Sequence, residues 1–185
     1  SALDSKFEAV QTALKNLDSA TLSFSTITSD GTVAGAAVSA GALAGVYQFE
    51  VVDLGSYSQS MSKDGLSSKV ADPFAETLSP ASGFTLTVDG EEFDITPAES
   101  TLAELAEAIN TSGAAVEATI VNIGSSEDPD YRLSLRSTKL GEVSIQLNDG
   151  STDLLDTTAT GTLAEYRVNG QPATAVTSDS RSVTV

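Results

Sequence analysis

The sequence predicts an α+β protein that is mostly β, with an N-terminal helical leg followed by β-rich head domains, one of which packs a single helix on an antiparallel sheet. Three observations predict it. The opening residues, Ser1 to Ser19, carry a heptad stripe of apolar side chains. From Ala20 onward the composition turns to Ser, Thr, Ala, Val and Gly. Residues 84–147 then read, in order, as a hairpin, a helix and three strands.

The leg comes first. Its stripe is Leu3, Phe7, Val10, Leu14 and Leu17, spaced alternately by four and three residues, which is the seam of a coiled coil. Lys6, Glu8, Gln11, Lys15 and Asn16 fall off the seam. A lone helix of this length is marginal in water. No other segment offers a matching seam, so the partner is expected to be another chain or a further part of the protein. The alternative is a short amphipathic helix lying on its own domain.

Thr32 to Ser39 and Val46 to Leu54 read as strands, joined by a turn over residues 40–45. In the second, Tyr47, Phe49 and Val51 share one face, and Val46, Gln48, Glu50 and Val52 the other. Residues 56–82, weakly patterned and holding Pro73 and Pro80, read as an irregular connection with one short helical turn. Phe84, Leu86 and Val88 then alternate with threonines, and Phe93 and Ile95 follow across Asp89-Gly90-Glu91-Glu92. A two-residue loop at Gly90-Glu91 suits a type II′ turn and sets Val88 opposite Phe93 and Leu86 opposite Ile95. All four apolar residues then line one face.

Thr101 and Glu104 have the spacing of a capping box, and Leu102, Leu105, Ala106 and Ile109 form one apolar stripe behind it. The stretch from Asn110 to Gly113 ends that helix. Val116 to Val121, Tyr131 to Arg136 and Val143 to Leu147 read as strands; residues 124–130 form a loop, and residues 139–142 join the last two as a hairpin. Residues 149–161 read as a Thr- and Asp-rich linker. The segment Tyr166-Arg167-Val168-Asn169-Gly170 echoes Leu86-Thr87-Val88-Asp89-Gly90, a partial internal repeat. Residues 182–185 are again strand-like, so the final unit reads as truncated. The expected division is a leg at 1–20, a β-rich head domain at 21–155 with the hairpin-helix-strand unit at 84–147, and the start or return strands of a second head unit at 156–185. Leu86, Val88, Phe93, Ile95, Leu102, Leu105, Ile109, Ile120, Leu133 and Leu135 are expected to share one core.

Composition narrows the function. The 185 residues include no Cys and no His, which removes thiolate metal sites, disulfides and any Ser-His-Asp triad, so no catalytic residues and no cofactor are expected. The net charge of -17 repels phosphate backbones and anionic membranes, so neither nucleic acid nor membrane is an expected partner. No run of 18 apolar residues is present, and no basic-then-apolar start resembles a cleaved signal peptide. Glu91, Glu92 and Asp94 read as a solvated face. Glu127-Asp128-Pro129-Asp130 lacks the spacing of a calcium loop. The glycines Gly31, Gly35, Gly41 and Gly45 follow no phosphate-loop pattern, and the four tyrosines occupy mostly strand-like positions.

Three stretches carry a family resemblance. The heptad start from Leu3 to Leu17 passes into Ser/Thr-rich strands. The run Gly45-Val46-Tyr47-Gln48-Phe49-Glu50-Val51-Val52-Asp53-Leu54 resembles an early strand of the form Gly-x-Tyr-x-x-x-Val-x-x-Leu. The span Phe84 to Leu147, with its Asp-Gly hairpin, its Leu102-to-Asn110 helix and its strands at Val116 and Tyr131, resembles the repeat shared by flagellins and hook-associated proteins. In that order they resemble the bacterial flagellar filament cap family, hook-associated protein 2. Leu54-Gly55 stands where that family has Leu-Ala, and its C-terminal helices are absent. The resemblance implies a secreted structural protein with no enzymatic activity. It implies a ring-like homo-oligomer at the distal flagellum tip that engages flagellin, export without a cleaved signal peptide, and an export chaperone. The competing readings are another hook-associated protein or a flagellin insert domain, and an extracellular adhesin module.

Overall fold

The computed structural model describes residues 6, 8, 10–12, 35, 37, 45–64, 66 and 69–182. The chain divides into two units, residues 1–46 and residues 47–185. In the first, Lys6, Glu8, Val10, Gln11 and Thr12 are helical and exposed, while Gly35 and Ala37 have no regular structure. The seam residues Leu3, Phe7, Leu14 and Leu17, and most of the strand expected at 32–39, lie outside the described residues.

The second unit is built from short antiparallel strands. These are β1 (Phe49–Asp53), β2 (Tyr57–Ser62), β3 (Phe84–Val88), β4 (Glu91–Ile95), β5 (Val116–Asn122), β6 (Tyr131–Leu140), β7 (Ile145–Asn148), β8 (Leu155–Ala159), β9 (Ala164–Val168) and β10 (Gln171–Ser178), with helix α1 (Leu102–Thr111) between β4 and β5. They form three sheets, ordered β1-β9-β10, β5-β6-β2-β8 and β4-β3-β7. The mostly β, α+β class expected from the sequence is the class observed.

Local chemistry explains the best-predicted pieces. Thr101 Oγ1 accepts a hydrogen bond from Glu104 N at 3.2 Å, which caps α1 as its sequence signals. Leu102, Leu105, Ala106 and Ile109 are its buried face. The β3–β4 hairpin keeps the expected face but corrects the expected register. Val88 lies opposite Glu91, Leu86 opposite Phe93 and Phe84 opposite Ile95. The loop is Asp89-Gly90, with φ of 52 and 85. Two consecutive left-handed residues match the twist of the flanking strands, and Asp-Gly satisfies that demand better than Gly-Glu. Asn169-Gly170 repeats it between β9 and β10, with φ of 54 and 70 and Val168 opposite Gln171. The internal echo is therefore the same hairpin made twice.

Three connections differ from expectation. Residues 56–82 contain β2, an inner strand between β6 and β8. Its inward residues are Ser58, Ser60 and Ser62, all buried, so hydropathy gives no alternation to read. The short turn expected in the same stretch is present at Asp72–Glu76, where Ala75 N and Glu76 N both donate to Asp72 O. The linker expected at 149–161 contains β8, which pairs with β2 and buries only Leu155 at its start. Residues 139–142 do not form a hairpin. β6 pairs with β5 and β2, whereas β7 crosses to pair with β3 in another sheet. Ser58 holds the chain at this crossing: its Oγ donates to Gly141 O at 3.0 Å and accepts from Val143 N at 2.9 Å and Gly161 N at 3.0 Å.

The sheets β5-β6-β2-β8 and β4-β3-β7 enclose one core with α1. It includes Leu86, Val88, Ile95, Leu102, Leu105, Ile109, Leu133 and Leu135, as expected, together with Val70, Phe84, Ile145, Leu147, Leu154 and Leu155. Phe93 and Ile120 are half-buried against it and not inside it. Two amides close the core's edges. Asn110 of α1 donates to Ala118 O and accepts from Ala118 N, which occupies the edge strand β5. Gln146 of β7 accepts from Leu155 N and donates to Leu155 O, which ties β7 to β8 in the neighbouring sheet. The sheet β1-β9-β10 contributes nothing to this core; its strands are mostly exposed or half-buried.

Candidate interaction surface

Of the seam residues Leu3, Phe7, Val10, Leu14 and Leu17, the structure places Val10 alone, on a helical turn and 58% exposed. The other four lie outside the described residues.

A second surface lies on the sheet β1-β9-β10. Residues directly opposite in an antiparallel pair point to the same side. Phe49 faces Val168, and Val51 and Val176 both face Tyr166, so these five side chains share one side. Phe49 and Tyr166 stack with ring centroids 5.3 Å apart. Phe49 and Val176 remain 41% and 37% exposed. The opposite side carries the Glu50–Arg167 ion pair, at 3.2 Å. One side of this small sheet is thus mostly apolar and partly exposed, with Gln171 opposite Val168 at its edge.

A third feature is charged. Arg132 on β6 uses all five guanidinium N–H groups. Nε and Nη2 donate to the two carboxylate oxygens of Asp130 at 2.7 Å each, Nη2 also meets Asp64 at 2.7 Å, and Nη1 donates to Lys63 O at 2.6 Å and Ser62 O at 3.3 Å. The hydrogen bonds from Arg132 hold the Asp130 carboxyl below its usual range, and Asp130 in turn raises Arg132. Beside them is an open cavity of ≈ 210 Å³ lined by Lys63, Lys69, Asp130, Tyr131 and Arg132 over a floor that includes Val70. Its volume falls below the ~300–1,000 Å³ of typical small-molecule sites. Its cations are already paired, Lys63 with Asp156 and Lys69 with Asp128. The cluster ties the end of β2 to the β5–β6 hairpin. The sequence signal for it was Asp130-Tyr131-Arg132, where a spacing of two puts acid and base on one side of an extended chain.

The acidic candidates scatter. Glu91, Glu92 and Asp94 are exposed on β4. Among the described residues no three His, Cys, Asp or Glu side chains converge as a metal site. Among the described residues Asp149 is the most perturbed carboxylate, lowered to about 2 by hydrogen bonds from Ser79 Oγ, then from Ser151 and Thr152. Its folded value lies below its unfolded one, so its contribution is complete above pH ~4 and lost as pH falls toward 2. Asp149→Asn is expected to flatten the fall in urea midpoint between those pH values. An acid limb identical to wild type would contradict the assignment.

These tiers match known proteins. The model of the flagellin hook IN motif matches residues 83–139, which span the β3–β4 hairpin, α1, β5 and nearly all of β6. The D2–D3 domains of the flagellar cap protein FliD from Serratia marcescens superpose with a TM-score of 0.57 at 27% identity, covering 80% of this chain and 85% of that one. The chain is thus similar in fold to the head domains of flagellar cap proteins. A second crystal form of the Serratia domains gives a TM-score of 0.55, also at 27% identity, over 78% of this chain and 83% of that one. FliD (HAP2) from Pseudomonas aeruginosa PAO1 gives 0.53 at 26% identity, over 80% and 72%. No curated protein sequence matches. Within residues 47–185, the base sheet β1-β9-β10 adjoins a larger body formed by residues 56–162.

Proposed function

We propose that this cap head, with its helical leg, forms part of a ring-like homo-oligomer at the distal end of the flagellar filament, where it retains exported flagellin and promotes its insertion. In this reading the protein is structural and not catalytic, leaves the cell through the flagellar channel without a cleaved signal, and is held by an export chaperone beforehand. The observation that supports it most is the likeness to FliD heads over 80% of the chain at 27% identity. Immunogold labelling with antibody against the head tests it. Label confined to filament tips, and loss of filaments on deletion of the gene, are expected. The flagellin-type motif at 83–139 favours a second reading, a flagellin insert or another hook-associated protein. Label along the filament or at its base would select that reading.

The leg supplies a separate test. Each buried Leu, Val or Phe contributes ~1.5–3 kcal/mol, so charge on the seam opposes assembly. Val10→Asp with Leu14→Asp in the full-length protein is expected to leave the head's circular dichroism intact, shift the oligomer to smaller species and reduce motility. Loss of the head fold with unchanged assembly would contradict the division of labour between leg and head.

A further inference from the structure

Three stretches of chain meet where the base sheet joins the larger body. The outgoing stretch leaves β1 through Leu54, Gly55 and Ser56, and the returning stretch enters β9 through Thr162 and Leu163. Ser56 N donates to Thr162 O at 2.8 Å, Thr162 N donates back to Ser56 O at 3.1 Å, and the two hydroxyls lie 3.1 Å apart. The approach is as close as backbone allows. A Cβ on Gly55, whose φ is +66, would stand 2.6 Å from Ala164 N and 2.8 Å from Thr162 O.

The third stretch is the tail of β10. Asp179 O accepts from Leu140 N at 2.9 Å, at the end of β6. Arg181 then reaches back across the junction: Nε donates to Leu54 O at 2.9 Å and Nη2 to Gly55 O at 3.0 Å. Its guanidinium lies 5.4 Å from the centroid of the Tyr57 ring, the first residue of β2. Arg136 of β6 lies 4.8 Å from the same ring and is itself paired with Glu117. Arg181 thus contacts backbone at the exit from the base sheet and an aromatic ring rooted in the larger body.

We propose that Arg181 is a latch that fixes the angle between the base sheet and the larger body, making this neck a rigid strut instead of a hinge. Two covalent connections side by side permit bending about the line they share; the tail of β10 adds a third link, in which the Asp179–Leu140 hydrogen bond reaches the larger body and Arg181 clamps the tail to the outgoing connection and the Tyr57 ring. The acceptors are carbonyls and a ring face, so the latch does not depend on a titrating carboxylate. A planar fork that donates to two successive carbonyls while stacking on a ring is specific to Arg; a lysine ammonium provides neither the fork nor the flat face.

The chain has no cysteine, so two introduced ones are unique spin-label sites. Thr174→Cys on β10 and Glu107→Cys on α1 place labels at exposed positions of the two parts. Pulsed electron resonance on the 185-residue chain is expected to give one narrow distance distribution. Arg181→Ala is expected to broaden it at least twofold, with the urea midpoint of the larger body unchanged, and Arg181→Lys to broaden it likewise. A distribution as narrow as the parent's in Arg181→Ala, or one already broad in the parent, overturns the latch. If Arg181→Ala lowers the midpoint as well, Arg181→Lys decides: narrow overturns the proposal and broad upholds it.

Discussion

Replacing Arg132 with Met is expected to destabilise the head by about 3–5 kcal/mol, read as a lower urea midpoint at unchanged slope. The side chains of Arg132 and Asp130 are only 12% and 17% exposed. Removing the guanidinium leaves that carboxylate without its hydrogen-bonded cation, with only the more distant Lys69 beside it, and leaves Ser62 O and Lys63 O without the donors they now have. Arg132→Lys is expected to recover little, because one ammonium cannot serve five directions. Adding Asp130→Leu to Arg132→Met is expected to restore part of the loss by removing the stranded charge. The pH dependence follows from Asp130, whose carboxyl is held below its usual value. The pair's contribution is complete above the unfolded carboxylate value of ~3.9 and is lost as pH falls through the lower folded value. A loss under ~1 kcal/mol for Arg132→Met would show that the cluster behaves as a surface ion pair.

Ser58→Ala carries the second large effect. One hydroxyl serves Gly141 O, Val143 N and Gly161 N, all at the crossing from β6 to β7 and at the end of β8. Losing it strands three backbone groups beside a side chain that is 2% exposed. Each buried orphan costs about 1–3 kcal/mol, so a loss of about 3 kcal/mol or more is expected. Ser60→Ala is the control. Its hydroxyl donates only to Ile145 O, at 3.2 Å, and about 1 kcal/mol is expected. Equal losses in the two variants would mean that packing of the serine, and not its bonding, sets the cost. By the same reasoning Phe93→Ala costs less than a fully buried Phe would, since Phe93 is only half-buried.

What the sequence made legible followed periodicity. Helix α1 announced itself because Thr101, Glu104 and the Leu102–Ile109 stripe combine cap and face within ten residues. The β3–β4 hairpin did so because threonines separate Phe84, Leu86 and Val88. Its register lies two residues from the one that a Gly90-Glu91 loop gives, because the left-handed pair Asp89-Gly90 makes the turn. Strand β2 was illegible because Ser58, Ser60 and Ser62 fill its buried side, and no hydropathy scale marks a serine that bonds to backbone as inward. Strand β8 was illegible because one buried residue, Leu155, makes no pattern. The β6–β7 crossing looks like a hairpin in sequence because neighbouring strands usually pair; here Ser58 and Ser60, some 80 residues away, redirect the chain. The apolar side of the base sheet was half visible. Alternation alone sets Phe49 and Val51 on one face, but Tyr166 and Val176 join them only through pairing across more than a hundred residues.

The pairing of Ser56 with Thr162 has an evolutionary consequence. Everything from β2 to β8 leaves and returns through two points one hydrogen bond apart. A segment whose ends nearly touch can be lengthened, shortened or exchanged without altering the strands that flank it. The larger body is in this sense a cassette held on a fixed mount. Related chains are expected to vary their outward cassette freely, in size and surface, while the mount keeps the same two hairpin strands and the same early strand.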